Sequence, residues 1–229
     1  MLMKKYFFTI LAIAFATVTY SQDCEGFYPL KPGAVIEMQS FNAKDKLTGI
    51  ARQTILNLDE TDEGLIIKVK SEQFDEKDKP VFEQELQMRC KDNIFYMDME
   101  SFLDPNTLNS MKDIEVAIDA SDLEFPSTIK VGQTLPDGSV SMKVSGGLAM
   151  MDMTVNIINR KVEAFETITV PAGSFECYKI TYDTDVKSFV KVTTTSAEWI
   201  AKDVGMVRSE TYDKKGKLTG YTVLSKFKP

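Results

Sequence analysis

Apolar and polar residues alternate along most of this chain, which is the pattern of half-buried β-strands. In residues 64–71, Leu65, Ile67 and Val69 alternate with a set that includes Lys68 and Lys70, so one face is apolar. Only a few turn-forming residues separate most such stretches, whereas parallel pairing needs longer connections. The pattern therefore predicts antiparallel strands at residues 34–41, 49–58, 64–71, 81–90, 94–99, 114–120, 140–145, 149–159, 160–170, 175–185, 189–200, 206–213 and 219–227.

Two segments interrupt this pattern. Residues 100–113 combine spaced apolar side chains with the helix-start signal Asp104-Pro105-Asn106, and they predict one short helix around residues 102–112. Residues 121–139 contain several prolines and glycines and predict a loop, at which two halves of a curved sheet could meet. The expected fold is all-β, with a curved antiparallel sheet that is barrel-like or sandwich-like and one short helix.

The first 21 residues have the layout of a secretory signal peptide. Lys4 and Lys5 form a basic start, residues 6–18 are mostly apolar, and cleavage is expected near Ser21. The apolar run is shorter than the roughly 20 residues that a membrane-spanning helix needs. We therefore expect an exported protein of the periplasm or the extracellular space. Residues 22–229 would form one mature domain without an integral membrane segment.

Charge and residue usage argue against several functions. The net charge of −7 becomes two units more negative when Lys4 and Lys5 leave with the signal peptide. Such an acidic protein repels phosphate backbones, so nucleic-acid binding is not expected. The chain has no histidine, which removes the usual general base at neutral pH and the commonest metal ligand. We predict no catalytic, cofactor-binding or metal-binding residues, no cofactor, and a protein that is not an enzyme. An enzyme with a carboxylate pair or a Ser-Lys site is the third alternative, to which no motif points.

Three cysteines bear on the structure of the exported protein. In an oxidising compartment two of them are expected to pair. A Cys24–Cys90 disulfide is the preferred prediction, because it would pin the mature N-terminus to the end of a strand and leave Cys177 as a free, buried thiol. The sequence also allows the other two pairings or three reduced thiols. A lipoprotein cysteine at Cys24 is a weak alternative, because Asp23 stands where a small residue is needed and Ser21 where leucine is expected.

Two Met-Asp-Met triplets stand out, at residues 97–99 and 151–153. A strand places both sulfur atoms of a triplet on one face. Thioethers can bind Cu(I), but the apolar neighbours on the same faces favour packing in a core. Methionine also suits adaptable apolar cavities. The candidate cavity residues are Met97, Met99, Met151, Met153 and, as an aromatic platform, Trp199.

Three segments carry a resemblance to a known family. They are Phe125-Pro126-Ser127 with VGQTLPDG at 131–138, RKV at 160–162 with VPAGSFECYK at 170–179, and Trp199 with GMV at 205–207. Together they resemble the exported TapB-like proteins of Bacteroidota-type bacteria, a domain-of-unknown-function family, over most of the mature chain. The resemblance implies a curved antiparallel β-architecture and export, and it assigns no catalytic residue.

These observations favour a non-enzymatic protein of the cell envelope. A curved sheet that does not close fully can hold an apolar ligand or a lipid in its concave face. The alternative is a structural or interaction protein of an envelope complex, which would bind another envelope protein through a sheet edge or a surface patch.

Overall fold

A computed structural model describes residues 24–99, 115–145 and 151–229 of the chain. The predicted signal peptide and the helix expected around residues 102–112 lie outside the described residues. Within the described ranges, thirteen strands form one sheet. They are β1 (Val35–Asn42), β2 (Leu47–Thr61), β3 (Gly64–Phe74), β4 (Pro80–Lys91), β5 (Ile94–Met97), β6 (Glu115–Ser121), β7 (Leu123–Pro126), β8 (Gly138–Ser145), β9 (Met151–Val170), β10 (Gly173–Lys187), β11 (Lys191–Ala201), β12 (Gly205–Tyr212) and β13 (Leu218–Lys228).

The strand order of the sheet is β6-β8-β9-β10-β11-β12-β13-β1-β2-β3-β4-β5-β7, and every neighbouring pair is antiparallel. The two edge strands, β6 and β7, follow each other in the chain and are separated only by Asp122. The edge strand β7 also approaches β8, the neighbour of the other edge strand, because a Cβ atom built on Gly138 of β8 would lie 2.8 Å from Leu123 Cδ1 of β7. The sheet is therefore barrel-shaped and nearly closed, and the predicted all-β antiparallel fold is confirmed.

The structure corrects two details of the predicted strands. Residues 151–170 form the single strand β9 and not two strands, because Asn159 adopts a left-handed backbone (φ 58°) that makes a bulge without reversing the chain. The predicted loop 121–139 contains the short strand β7, which pairs with β5 through Phe95 and Phe125. Its four residues are too few to show a periodic pattern.

The N-terminal segment and the loop after β7 pack against the sheet. Phe27, Ile129 and Leu135 are buried in one apolar cluster with Val162 of β9 and Ile200 of β11. Backbone hydrogen bonds hold the loop along β9, including Leu135 N to Arg160 O at 2.9 Å. These two segments bury apolar side chains that the sheet would otherwise expose.

Candidate ligand cavity

A cavity of about 410 Å³ lies against one face of the curved sheet. Its volume falls within the range of roughly 300–1,000 Å³ that is common for small-molecule sites. The apolar part of its lining includes Met38, Met88, Met97, Met206, Phe95 and Phe125. Flexible methionine side chains can adapt to ligands of irregular shape.

Antiparallel register brings these side chains to one face. Met38 of β1 lies opposite Ala51 of β2, and Met88 of β4 lies opposite Met97 of β5. All four residues line the cavity. Because side chains alternate between the two faces of a strand, the sequence neighbours of each of these residues point away from the cavity. The alternation seen in the sequence thus produces a continuous apolar wall across strands that are distant in the chain.

Residues 24–34 cross one side of this cavity, and Phe27 and Tyr28 contribute to its lining. The segment is anchored at Gly26, whose carbonyl oxygen accepts a hydrogen bond of 2.9 Å from Asp203 N. A disulfide joins Cys24 to Cys90 at the end of β4, with the Cα atoms 6.0 Å apart. The N-terminal segment is therefore tied covalently to the sheet beside the cavity.

A few polar groups lie within the apolar lining. The Tyr28 hydroxyl donates to Gln53 Oε1 at 2.9 Å, and Ser40 Oγ lies 3.0 Å from Thr222 Oγ1. Burial raises the pKa of Tyr28 above its ordinary value, so the phenol is neutral at physiological pH. Each of these groups already has a protein partner, and together they add no charge to the cavity.

A smaller recess of about 90 Å³ shares Met97, Phe125 and Glu198 with the main cavity. Arg160 and Tyr182 also line this recess. The Tyr182 hydroxyl donates to Glu198 Oε1 at 2.5 Å. Burial raises the pKa of Glu198, although the Tyr182 hydrogen bond and the charge of Arg160 act in the opposite direction. The recess is thus the polar end of a largely apolar space.

Arg160 is buried in the wall of this recess, with only 1% of its surface exposed. Its Nη1 donates to the carbonyl oxygens of Glu124 at 2.8 Å and Pro136 at 2.5 Å. Its Nη2 is buried and has no hydrogen-bond partner among the residues that the structure describes. Burial lowers the pKa of Arg160 to about 10, and nearby Glu198 acts in the opposite direction, so the side chain is still a cation at neutral pH.

The sequence-predicted cavity residues occupy different places. Met97 lines both the main cavity and the recess. Met99 is fully buried in an apolar cluster outside the cavity lining, and Met153 packs on the same cluster. The backbone of Met151 pairs with Val144 of β8, and its side chain lies outside the described residues. The structure therefore brings one of these candidates to the cavity.

Trp199 lies on the other face of β11 from the cavity residues Glu198 and Ile200. It is 6% exposed, and its indole Nε1 donates to Glu166 Oε1 at 2.7 Å. The ammonium group of Lys179 lies 4.9 Å from the centre of the Trp199 ring. The indole is packed within the protein and does not form a platform in this cavity.

Sequence reasoning did not single out Arg160 or Glu198 as members of the site. An arginine on the same face as Ile157 and Val162 would have been a signal, since charged residues are rarely buried alone. The bulge at Asn159 shifts the alternation by one residue, so counting from Ile157 places Arg160 on the opposite face. Counting back from Val162 places Arg160 on the same face as Val162, and this signal was present in the sequence.

The described residues contain neither a metal-binding cluster of side chains nor a helix that could cross a membrane. In residues 24–99, 115–145 and 151–229, no group of three or more Cys, Asp or Glu side chains is arranged to hold a metal ion. No helix in the described part of the chain has the length and apolar character needed to cross a membrane.

Comparison with known proteins identifies the family. A family model with the description DUF3108-like matches residues 31–224, and the chain therefore belongs to this family. The finer TapB-like assignment is not confirmed. No functionally curated protein matches the sequence.

Two solved structures share the fold. A candidate exported protein with a YmcC-like fold from Bacteroides fragilis is 25% identical, with a TM-score of 0.71, over 90% of this chain and 100% of the other. A candidate lipoprotein from Parabacteroides distasonis gives the same identity, coverage and TM-score. Both descriptions support the export that the N-terminal sequence predicts. Neither they nor the family description indicates a catalytic activity.

Proposed function

We propose that this member of the DUF3108-like family is a non-enzymatic binding protein that holds an apolar ligand or a lipid in its cavity. The observation that carries the proposal is the cavity of about 410 Å³ with its methionine and phenylalanine lining. Water in contact with apolar side chains is unfavourable, so a ligand that displaces this water from the cavity lowers the free energy of the system. The protein would carry out this role in the periplasm or the extracellular space.

Native mass spectrometry can test the proposal on protein purified from its own cells. We expect an added mass that dissociates on unfolding and that organic extraction recovers as an apolar compound. A protein that is reproducibly empty, and that also fails to bind the neutral apolar fluorophore N-phenylnaphthylamine, would overturn the proposal.

A cavity-filling variant makes this test specific. Ala51 lines the cavity on β2, so Ala51→Phe places a ring in the proposed ligand space. Ala117 of β6 is exposed, and Ala117→Phe adds the same bulk to the surface as a matched control. We expect Ala51→Phe to weaken fluorophore binding and Ala117→Phe to bind like the wild type. Equal binding by all three proteins would place the fluorophore outside the cavity.

A second candidate function is an interaction with another envelope protein, and one exposed apolar surface patch supports it. At the tip of the β10–β11 hairpin, Phe189 is 81% exposed, Val190 67% and Val192 49%. Exposed apolar side chains at a loop tip are common in protein contacts. Crosslinking in cells tests this candidate: Phe189→Ser should remove a stoichiometric partner, whereas Phe165→Ser, at a site that is 51% exposed on β9, should retain it.

A further inference from the structure

We propose that the ligand is a single-chain carboxylic acid, such as a fatty acid, whose carboxylate accepts a hydrogen bond from Arg160 Nη2. Its hydrocarbon chain would occupy the apolar main cavity. This inference rests on the proposed function and adds the chemistry of the ligand's polar end.

Arg160 is a buried cation whose hydrogen bonding is incomplete. A guanidinium group carries five N–H donors, and desolvating them without acceptors is unfavourable. In Arg160 the two carbonyl contacts use Nη1, while the buried Nη2 has no acceptor among the described residues. Because Arg160 lines the recess, an acceptor oxygen placed there would lie beside this side chain.

Arg160 also lies next to the apolar space of the main cavity. The recess that Arg160 lines has Met97 and Phe125 in common with the main cavity. The guanidinium carbon of Arg160 lies 4.4 Å from the centre of the Phe125 ring. A ligand in the main cavity would therefore approach the cation along an apolar wall. This arrangement fits an amphiphile with one polar end.

The charges around the recess decide between types of polar end. A cationic head would be repelled by Arg160, and a neutral alcohol oxygen would accept a hydrogen bond from the guanidinium without balancing its charge. A carboxylate accepts the same hydrogen bond and also pairs its negative charge with the buried cation. The Tyr182 hydrogen bond already occupies Glu198 Oε1, and the raised pKa of Glu198 reduces its repulsion of an anion.

Displacement of bound N-phenylnaphthylamine by three ligands with the same chain tests the inference. The ligands are dodecanoic acid, dodecanol and methyl dodecanoate, each used below its micelle or aggregation threshold. We expect the wild-type protein to prefer the acid to the alcohol and the ester by roughly tenfold to a hundredfold at neutral pH. Equal affinities for the three ligands would overturn the inference and leave the proposed function standing. If neither the fluorophore nor any of the chains binds, the proposed function itself fails.

Two variants assign the preference to Arg160. Arg160→Gln should lose the preference for the acid while it still binds the fluorophore and dodecanol. Arg89→Gln is the matched control, because Arg89 is on the face of β4 opposite Met88 and lies over the Tyr96 ring at 4.3 Å. A preference that persists in Arg160→Gln would overturn the inference.

Because Arg160 also holds the loop after β7, its variants could unfold, and a measurement on the wild-type protein is needed as well. Burial in apolar surroundings favours the neutral form of a carboxylic acid, whereas a nearby cation favours the carboxylate. We expect infrared spectroscopy of bound, carboxyl-labelled dodecanoic acid to show the ionised carboxylate at neutral pH. The band of the protonated acid would overturn the inference independently of any variant.

Discussion

Trp199 donates its indole hydrogen to the Glu166 carboxylate at 2.7 Å, across the intervening strand β10. In the sheet, Glu166 is paired with Cys177, and Trp199 is paired with Lys179. The indole thus joins three neighbouring strands on the face of β11 opposite the cavity residue Glu198. A polar side chain on β9 satisfies the indole donor, and an apolar cluster buries its ring.

Replacing Trp199 should therefore affect stability more than ligand binding. Trp199→Phe removes the hydrogen bond to Glu166 and part of the buried ring, and we expect a loss of about 1–3 kcal/mol in the free energy of unfolding. Phe189→Leu, at the exposed hairpin tip, should change this free energy by less than about 0.5 kcal/mol. Urea titration followed by circular dichroism measures both values, and fluorophore binding by the folded Trp199→Phe protein should match the wild type.

The disulfide between Cys24 and Cys90 should contribute strongly to stability. It closes a loop between residues 66 positions apart and restricts the unfolded chain accordingly. We expect the Cys24→Ser, Cys90→Ser double variant to lose about 2–5 kcal/mol in the free energy of unfolding. Reductant should lower the denaturation midpoint of the wild type and leave that of the double variant unchanged. Equal midpoints for the oxidised and reduced wild type would contradict this expectation.

The third cysteine should be unreactive in the folded protein. Cys177 is fully buried, and burial raises the pKa of its thiol to about 11, with a further contribution from Glu166. Thiolates react with alkylating agents and thiols do not, so the thiolate fraction at neutral pH is very small. We expect negligible labelling by iodoacetamide under native conditions and rapid labelling in guanidinium chloride. Rapid labelling of the native protein would show that the site opens frequently.

Period-two alternation is a local property, which explains why it predicted much of this fold. The strands around Ile67 and around Trp199 could be located because each carries a repeating apolar face. The order of strands in the sheet depends on contacts between distant residues, and the pairing of β5 with β7 through Phe95 and Phe125 has no local signature.

The candidate site was less accessible to sequence reasoning. Met97 could be proposed because two methionines flank an aspartate in a predicted strand. Arg160 was not proposed, although it shares a face with Val162 in the predicted strand 160–170, because a charged side chain in a strand is usually exposed to solvent. The difference between Met97 and Met99 arises at the end of β5, where the regular strand stops at Met97.

Glu37 should make the stability of the protein depend on acid pH. Its side chain is 4% exposed and accepts hydrogen bonds from Arg52, Lys226 and Ser225. Burial raises the pKa of Glu37, but these hydrogen bonds outweigh burial and hold it below the model-peptide value of 4.5. A depressed pKa in the folded state adds stability above the unfolded pKa, and this contribution is lost as the pH falls through the folded pKa.

We expect Glu37→Gln to cost on the order of 1 kcal/mol in the free energy of unfolding at neutral pH, and less as the pH falls below about 4.5. Asp59→Asn is the control: it breaks the exposed ion pair with Lys68 and should have little effect at any pH. Urea titrations of both variants from neutral pH to below pH ~4.5 measure the two costs. A cost for Glu37→Gln that does not change with pH would contradict it.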